Sequence, residues 1–168
     1  MIHSRAESLR QQVRSPYRKL LLLWFAMWLA AGLATARWRN AQLYSTAWAW
    51  PAALLFIGIG LAFYRQSGSG FGLSELAGLP EIRPGNHDQR LVTTGIRSRV
   101  RHPIYAGHLC EMLGWSVGTG LLVCWGLTAF AVITGAIMIR MEEAELEERF
   151  GELYVAYRTQ VPALLPRL

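Results

Sequence analysis

The sequence predicts an all-α integral membrane helical bundle with about four membrane-inserted helices. Three observations carry that expectation. Over half of the residues, 52%, are hydrophobic. Many of them are gathered into charge-free runs of membrane length. The Lys and Arg residues sit almost wholly on one side of those runs. Backbone polar groups in lipid must be satisfied within their own segment, so each run reads as a helix. A chain of 168 residues holds one compact membrane domain, 1–168.

Leu20 to Ala36 is a 17-residue run without a charge, giving a first span at 20–36. Ala47 to Tyr64 is a second, of 18 residues, giving a span at 47–64. Pro51 falls in its first turn, where a missing N–H is harmless. Both runs lie near the lower length limit for a spanning helix. The basic start, the apolar run and Ala34-Thr35-Ala36 also imitate a cleaved signal peptide. The run exceeds the roughly 7 to 15 residues of such a core, and further apolar segments follow, so a retained span is expected.

Residues 65–100 form the one long connection, expected to be a cytoplasmic loop. Gln66 to Gly72 is flexible by composition, and Pro80 and Pro84 bracket an irregular piece. Its glycines lack the preceding strand and the spacing of a dinucleotide fingerprint.

Residues 104–139 read as a helical hairpin. Between Tyr105 and Arg140 lie 34 residues, Ala106 to Ile139. One continuous helix of that length would span roughly 51 Å, against a hydrocarbon core about 30 Å thick. Gly118-Thr119-Gly120 supplies a breaking point, and two arms of about 12 to 18 residues return the chain to its starting side. That folding brings Arg101-His102-Pro103-Ile104-Tyr105 and Glu142-Glu143 to one face. Residues 140–168 are expected to be a cytoplasmic amphipathic helix and tail. Leu146, Phe150, Tyr154 and Tyr157 recur there at helical spacing, and Glu145 and Arg149 are placed for an i,i+4 pair.

The net charge of +6 follows topology. Of the 17 Lys and Arg residues, only Arg37 and Arg39 fall in the first connecting loop, and the hairpin tip has none. This positive-inside bias puts both termini and the central loop in the cytoplasm, in the cytoplasmic (inner) membrane. Trp38, Trp48 and Trp50 then flank the outer surface, and Tyr17 and Tyr64 the inner one. The basic residues orient the chain and meet anionic membrane lipid; they are not a nucleic-acid footprint. Cys110 and Cys124 have no spacing that demands a bridge and read as small packing residues. His3, His87, His102 and His108 make no metal-ligand spacing with them, so no metal is expected.

Leu91-Val92-Thr93-Thr94-Gly95-Ile96, Arg101-His102-Pro103-Ile104-Tyr105-Ala106-Gly107, Glu142-Glu143-Ala144-Glu145-Leu146, Phe150 to Tyr157 and Val161-Pro162 resemble the isoprenylcysteine carboxyl methyltransferase family. That wider group includes phospholipid N-methyltransferases and bacterial membrane methyltransferases. The resemblance covers Leu91 to Pro166; the first two spans match only in being apolar. It implies S-adenosyl-L-methionine as cofactor, held on the cytoplasmic side by Leu91, Val92, Arg101, His102, Pro103, Ile104, Tyr105, Glu142, Glu143 and Tyr154. It implies methyl transfer to a lipophilic acceptor reached from the membrane. Phospholipid N-methylation is the alternative reaction, and a non-catalytic lipid-binding protein on the same fold is the rival of another class. Arg140 stands near the place of the family's substrate-binding arginine.

Several of these residues have a physical reading of their own. Pro103 suits the first turn of a helix, and helix N-termini attract anionic groups, with His102 and Tyr105 as hydrogen-bond partners. A carboxylate at Glu142 accepts hydrogen bonds from hydroxyl or ammonium donors. Glu143 reads in addition as part of a solvated helix face. Glu111 is the only acidic residue inside an apolar span, and His108 lies one turn before it. An ionisable group at that depth suggests function. Glu111 and His108 are therefore expected to face a lipid-accessible cavity and act on the acceptor, as headgroup anchor or general base; pairing with a neighbouring helix is the structural alternative.

Overall fold

The computed structural model describes residues 16–44, 47–68 and 91–166. The basic segment before Pro16, the glycine-rich stretch after Gly68 and the Pro80–Pro84 piece lie outside the described residues, as does the side chain of Tyr17. Helices dominate what is described: α1 (Pro16–Trp38), α2 (Trp50–Gly68), a 3-10 turn (Gly95–Ser98), α3 (Pro103–Thr119), α4 (Leu122–Phe150) and α5 (Glu152–Gln160).

The turn between α3 and α4 is narrower than the expected Gly118-Thr119-Gly120 break. Gly118 and Thr119 stay helical, and Gly120 alone reverses the chain. Its φ of 64° is in the left-handed region, and its N–H caps the helix on the Ser116 carbonyl. A side chain there would be strained, whereas glycine adopts this conformation freely. The connection from α1 folds over this tip. Leu43 N–H donates to the Gly120 carbonyl (2.8 Å), and Tyr44 Oη donates to the Val117 carbonyl (2.9 Å).

The hairpin arms are 17 and 29 residues long rather than about equal. Nothing ends α4 at Arg140, because Met141 to Arg149 are mostly strong helix formers. The helix runs on through the glutamates until Gly151, with φ 54°, closes it on the Glu147 carbonyl. The separate helix expected from residue 140 is thus the end of α4 followed by the short α5. Arg158 Nη1 to Glu147 Oε2 (2.8 Å) ties α5 back onto α4, and Arg149 meets Glu145 at 3.2 Å. By length and composition α4 is apolar enough to cross a membrane.

The broadest helix contact is α2 on α3. It depends on close backbone approach: a Cβ on Gly60 would lie 2.8 Å from the Gly107 carbonyl oxygen, and one on Gly107 would lie 2.8 Å from the Tyr64 ring. Polar side chains bind the other helices together. Trp115 Nε1 donates to Thr35 Oγ1 on α1 (3.1 Å), and Ser116 and Thr128 share a buried hydrogen bond between α3 and α4 (2.8 Å). Such bonds hold apolar helices in register where hydrophobic contrast with the surroundings is weak. Met27, Tyr105, Met112, Ala131 and Ile139 make the apolar core between them. Both cysteines are free, and Cys124 is buried 3.9 Å from Thr35 Oγ1.

Candidate active site

The hairpin geometry brings His102, at the N-cap of α3, against the glutamates of α4. His102 is buried, with 4% of its surface exposed. Its Nε2 lies 3.1 Å from Glu143 Oε1, and its Nδ1 lies 3.6 Å from Glu142 Oε2. The Tyr105 ring one turn on stacks edge-to-face against it, centroids 5.7 Å apart.

Glu143 is not on a solvated face. Arg101 Nε (3.0 Å) and Arg101 Nη2 converge on the same carboxylate oxygen that His102 approaches. Burial pushes this carboxyl up, but the hydrogen bonds and charges of Arg101 and His102 outweigh it and hold it below the usual carboxylate range. Arg101 is also engaged from a third direction. Its Nη1 donates to the Arg158 carbonyl (2.9 Å) and to that of Val161. Its backbone N–H donates to Pro162 and that of His102 to Ala163, both at 2.9 Å.

Residues 161–163 therefore form a strap across the entrance to α3. Sequence reasoning gave this strap no structural role, and Val161-Pro162 among the motif blocks was its signal. The two N–H groups before Pro103, those of Arg101 and His102, are satisfied by the strap. Arg101 thus joins Glu143 to the strap.

Two polar atoms remain. Glu142 Oε2 and Tyr154 Oη are buried without a hydrogen-bond partner. His102 Nδ1 is beyond hydrogen-bond length from the first. Burial, then the nearby Glu143 carboxylate, raises the Tyr154 phenol well above its usual range. Arg97, which sequence reasoning left aside, is lowered by burial against the opposing influence of Tyr157 and Glu142. Tyr157 Oη donates to the Arg97 carbonyl (2.6 Å), locking α5 onto the 3-10 turn. The positive φ of Gly95, 64°, allows the chain to enter that turn. Leu91, Val92 and Ile104 are half-buried, and Pro103 is buried. Arg140 is exposed and joins none of the cluster's hydrogen bonds.

His108 and Glu111 lie apart from this cluster, on the side of α3 that faces α2. Both engage Tyr64, whose hydroxyl donates to Glu111 Oε2 (2.9 Å) and is hydrogen-bonded to His108 Nδ1. Of the two expectations for this pair, a lipid-facing cavity or pairing with a neighbouring helix, the contact with Tyr64 is the second.

A family model described as phospholipid methyltransferase matches residues 83–153. Protein-S-isoprenylcysteine O-methyltransferase B of Arabidopsis thaliana is 40% identical over 93 residues, 52% of this chain and 45% of the relative. The C-terminal half of the chain is similar to the isoprenylcysteine and phospholipid methyltransferase family. Within it, the Homo sapiens protein-S-isoprenylcysteine O-methyltransferase is 35% identical over 81 residues, 45% of this chain and 27% of its own. A cobalt-zinc-cadmium resistance protein of Cupriavidus metallidurans is 36% identical over 86 residues, 50% of this chain and 39% of its own. The chain spans less than half the length of these relatives.

Proposed function

We propose that the chain is an S-adenosylmethionine-dependent methyltransferase whose lipophilic acceptor arrives through the membrane. The carrying observation is the pair of buried, unpartnered atoms, Glu142 Oε2 and Tyr154 Oη, beside His102. An unsatisfied buried polar group costs about 1 to 3 kcal/mol, so an arrangement that keeps two of them gains from a ligand with complementary groups. S-adenosylmethionine carries an ammonium group and ribose hydroxyls, donors that an acidic oxygen accepts. The residues present fit it.

In this reading Glu142 binds a donor of the cofactor, Tyr154 closes the pocket, and His102 with Tyr105 walls its inner side. Leu91, Val92 and Ile104 line the approach, while Arg101, Glu143 and the strap hold the walls in place. When bound, the cofactor supplies an electrophilic methyl group on sulfonium. The protein's part is orientation, since holding two reactants in line removes about 7 to 11 kcal/mol of barrier. All four long helices enter the bilayer with the site on the cytoplasmic side. The exposed Phe25, Leu29 and Leu33 of α1, Leu54 and Leu61 of α2, and Phe130, Ile133 and Ile137 of α4 support this, for they present apolar surface suited to acyl chains.

Mass spectrometry of membrane extracts from cells with and without the chain tests the reading. The expected result is a lipophilic species heavier by one methyl group only when the chain is expressed and Glu142 is intact. Identical extracts would contradict it.

A further inference from the structure

The contacts between α2 and α3 hold a second titratable cluster that the cofactor reading leaves unused. Tyr64 on α2 meets His108 and Glu111 on α3, and the two α3 side chains are 4.0 Å apart at their nearest ion-pairing atoms. The backbones are shaped around this group. A Cβ on Gly107 would strike the Tyr64 ring, and one on Gly60 would strike the Glu111 Cγ, each at 2.8 Å. Gly60 and Tyr64, like Gly107 and Glu111, are one helical turn apart, so each helix opens a notch next to the polar residue it presents.

Proton counting orders the cluster. A tyrosine hydroxyl has one proton. With Tyr64 donating to Glu111 Oε2, the bond to His108 requires Nδ1–H to donate to the Tyr64 oxygen. A chain of donors, His108 to Tyr64 to Glu111, then fixes one carboxylate oxygen. Glu111 Oε1 takes no part in these bonds. A base oriented by a second group, itself oriented by a third, is the arrangement that general-base chemistry uses. The titratable groups in contact with Glu111 are Tyr64 from α2 and His108 from α3, with the Cys110 thiol next to it in the chain and within its electrostatic influence. Among the described residues no Arg or Lys lies within ion-pair distance of it.

The position suits an acceptor reached from the bilayer. His108 follows His102 by six residues on α3, roughly 9 Å along the axis. Glu111 follows His102 by nine, roughly 14 Å, so the cluster lies about two turns deeper than the candidate cofactor site, and α2 also touches the 3-10 turn that carries Arg97. Glu111 retains 15% side-chain exposure, so an incoming group can meet it.

We propose that Glu111, positioned by Tyr64 and His108, is the base for a proton-bearing acceptor, an amine or a hydroxyl, rather than for a carboxylate. The inference rests on the methyl-transfer reading and narrows its substrate class. The acceptor atom forms a bond to the methyl carbon, the carbon–sulfur bond of the sulfonium donor breaks, and its electron pair stays on sulfur. The proton leaving the acceptor goes to Glu111 Oε1, while Tyr64 still donates to Oε2. A carboxylate acceptor has no proton to give, and Glu111 would repel it.

The test uses purified full-length protein in lipid nanodiscs, as wild type, Glu111→Gln and Tyr64→Phe. Infrared titration follows the carbonyl stretch of protonated Glu111, identified by its loss in Glu111→Gln. The expected result is a band whose frequency and pH midpoint both shift in Tyr64→Phe. A band that ignores Tyr64 would overturn the positioning role without any turnover. Transfer is then measured with phosphatidylethanolamine, a farnesylated phenol and a prenylated cysteine bearing a free carboxylate. Wild type is expected to methylate the amine or the phenol. Glu111→Gln should keep cofactor binding and thermal stability but lose at least about a hundredfold in that rate, within the range of general-base contributions. Tyr64→Phe should move the acid limb of the pH–rate profile. Equal rates in wild type and Glu111→Gln, or transfer to the carboxylate alone, would overturn the proposal while leaving methyl transfer standing. Failure of wild type to bind S-adenosylmethionine would instead defeat the methyl-transfer reading.

Discussion

Removing Glu143 is the perturbation whose consequence the geometry defines most sharply. Its Oε1 collects Arg101 Nε at 3.0 Å, Arg101 Nη2, and His102 Nε2 at 3.1 Å. The Arg101 and Glu143 side chains are 10% and 14% exposed, so water replaces little of what is lost. A hydrogen bond to a charged group is worth about 1.5 to 3 kcal/mol, and breaking a buried pair costs about 3 to 5 kcal/mol because a charge is stranded. The remaining exposure argues for the lower part of that range. Glu143→Ala should therefore destabilise the protein by about 3 kcal/mol. Arg101→Ala should cost at least as much, since it also abandons the Arg158 and Val161 carbonyls. The double variant should cost far less than the sum, with a coupling energy above about 1 kcal/mol. Chemical unfolding of the four proteins in mixed micelles reads these values. Additivity within about 0.5 kcal/mol would mean that the two side chains do not act together, and the strap would lose its anchor.

Two further outcomes follow from the same geometry. Because the folded-state carboxyl of Glu143 is held below its unfolded value, near pH 4.3, its stabilisation is present above that pH and lost as pH falls through the folded value. Unfolding midpoints should accordingly drop on acidification in wild type and change less in Glu143→Gln; parallel curves would refute this. Arg99→Cys and Glu147→Cys, made singly in a Cys110→Ala/Cys124→Ala background, should both react with a membrane-impermeant thiol reagent from the cytoplasmic side only. Labelling from opposite sides would break the hairpin topology.

The meeting of His102 with the glutamates was legible because chain length forced it: a mostly apolar run of 34 residues would overrun a bilayer, and a glycine marks the turn. Which glutamate does what was not legible. Glu142 and Glu143 are about 100° apart around α4, and only the crossing of α4 over α3 turns Glu143 to Arg101 and leaves Glu142 Oε2 without a hydrogen bond. The true end of α4 was hidden because apolarity stops at Arg140 while helix propensity does not. The strap at Val161 to Ala163 has no periodicity to read, since its bonds are backbone carbonyls offered to Arg101 and His102 just before α3. Tyr64 was read as an interfacial aromatic at a span's end. Its partnership with His108 and Glu111 depends on how closely α2 approaches α3. The only sequence trace of that approach is a glycine one turn before Tyr64 on α2 and one turn before Glu111 on α3.

Equilibrium binding of radiolabelled S-adenosylmethionine to the purified protein tests the central claim most directly, with His102→Ala and Glu142→Ala beside wild type. Saturable binding by wild type is predicted, weakened at least about tenfold in each variant, as losing a hydrogen bond to a charged group requires. The same affinity in all three proteins, with the variants still folded, would contradict the placement of the cofactor between α3 and the end of α4.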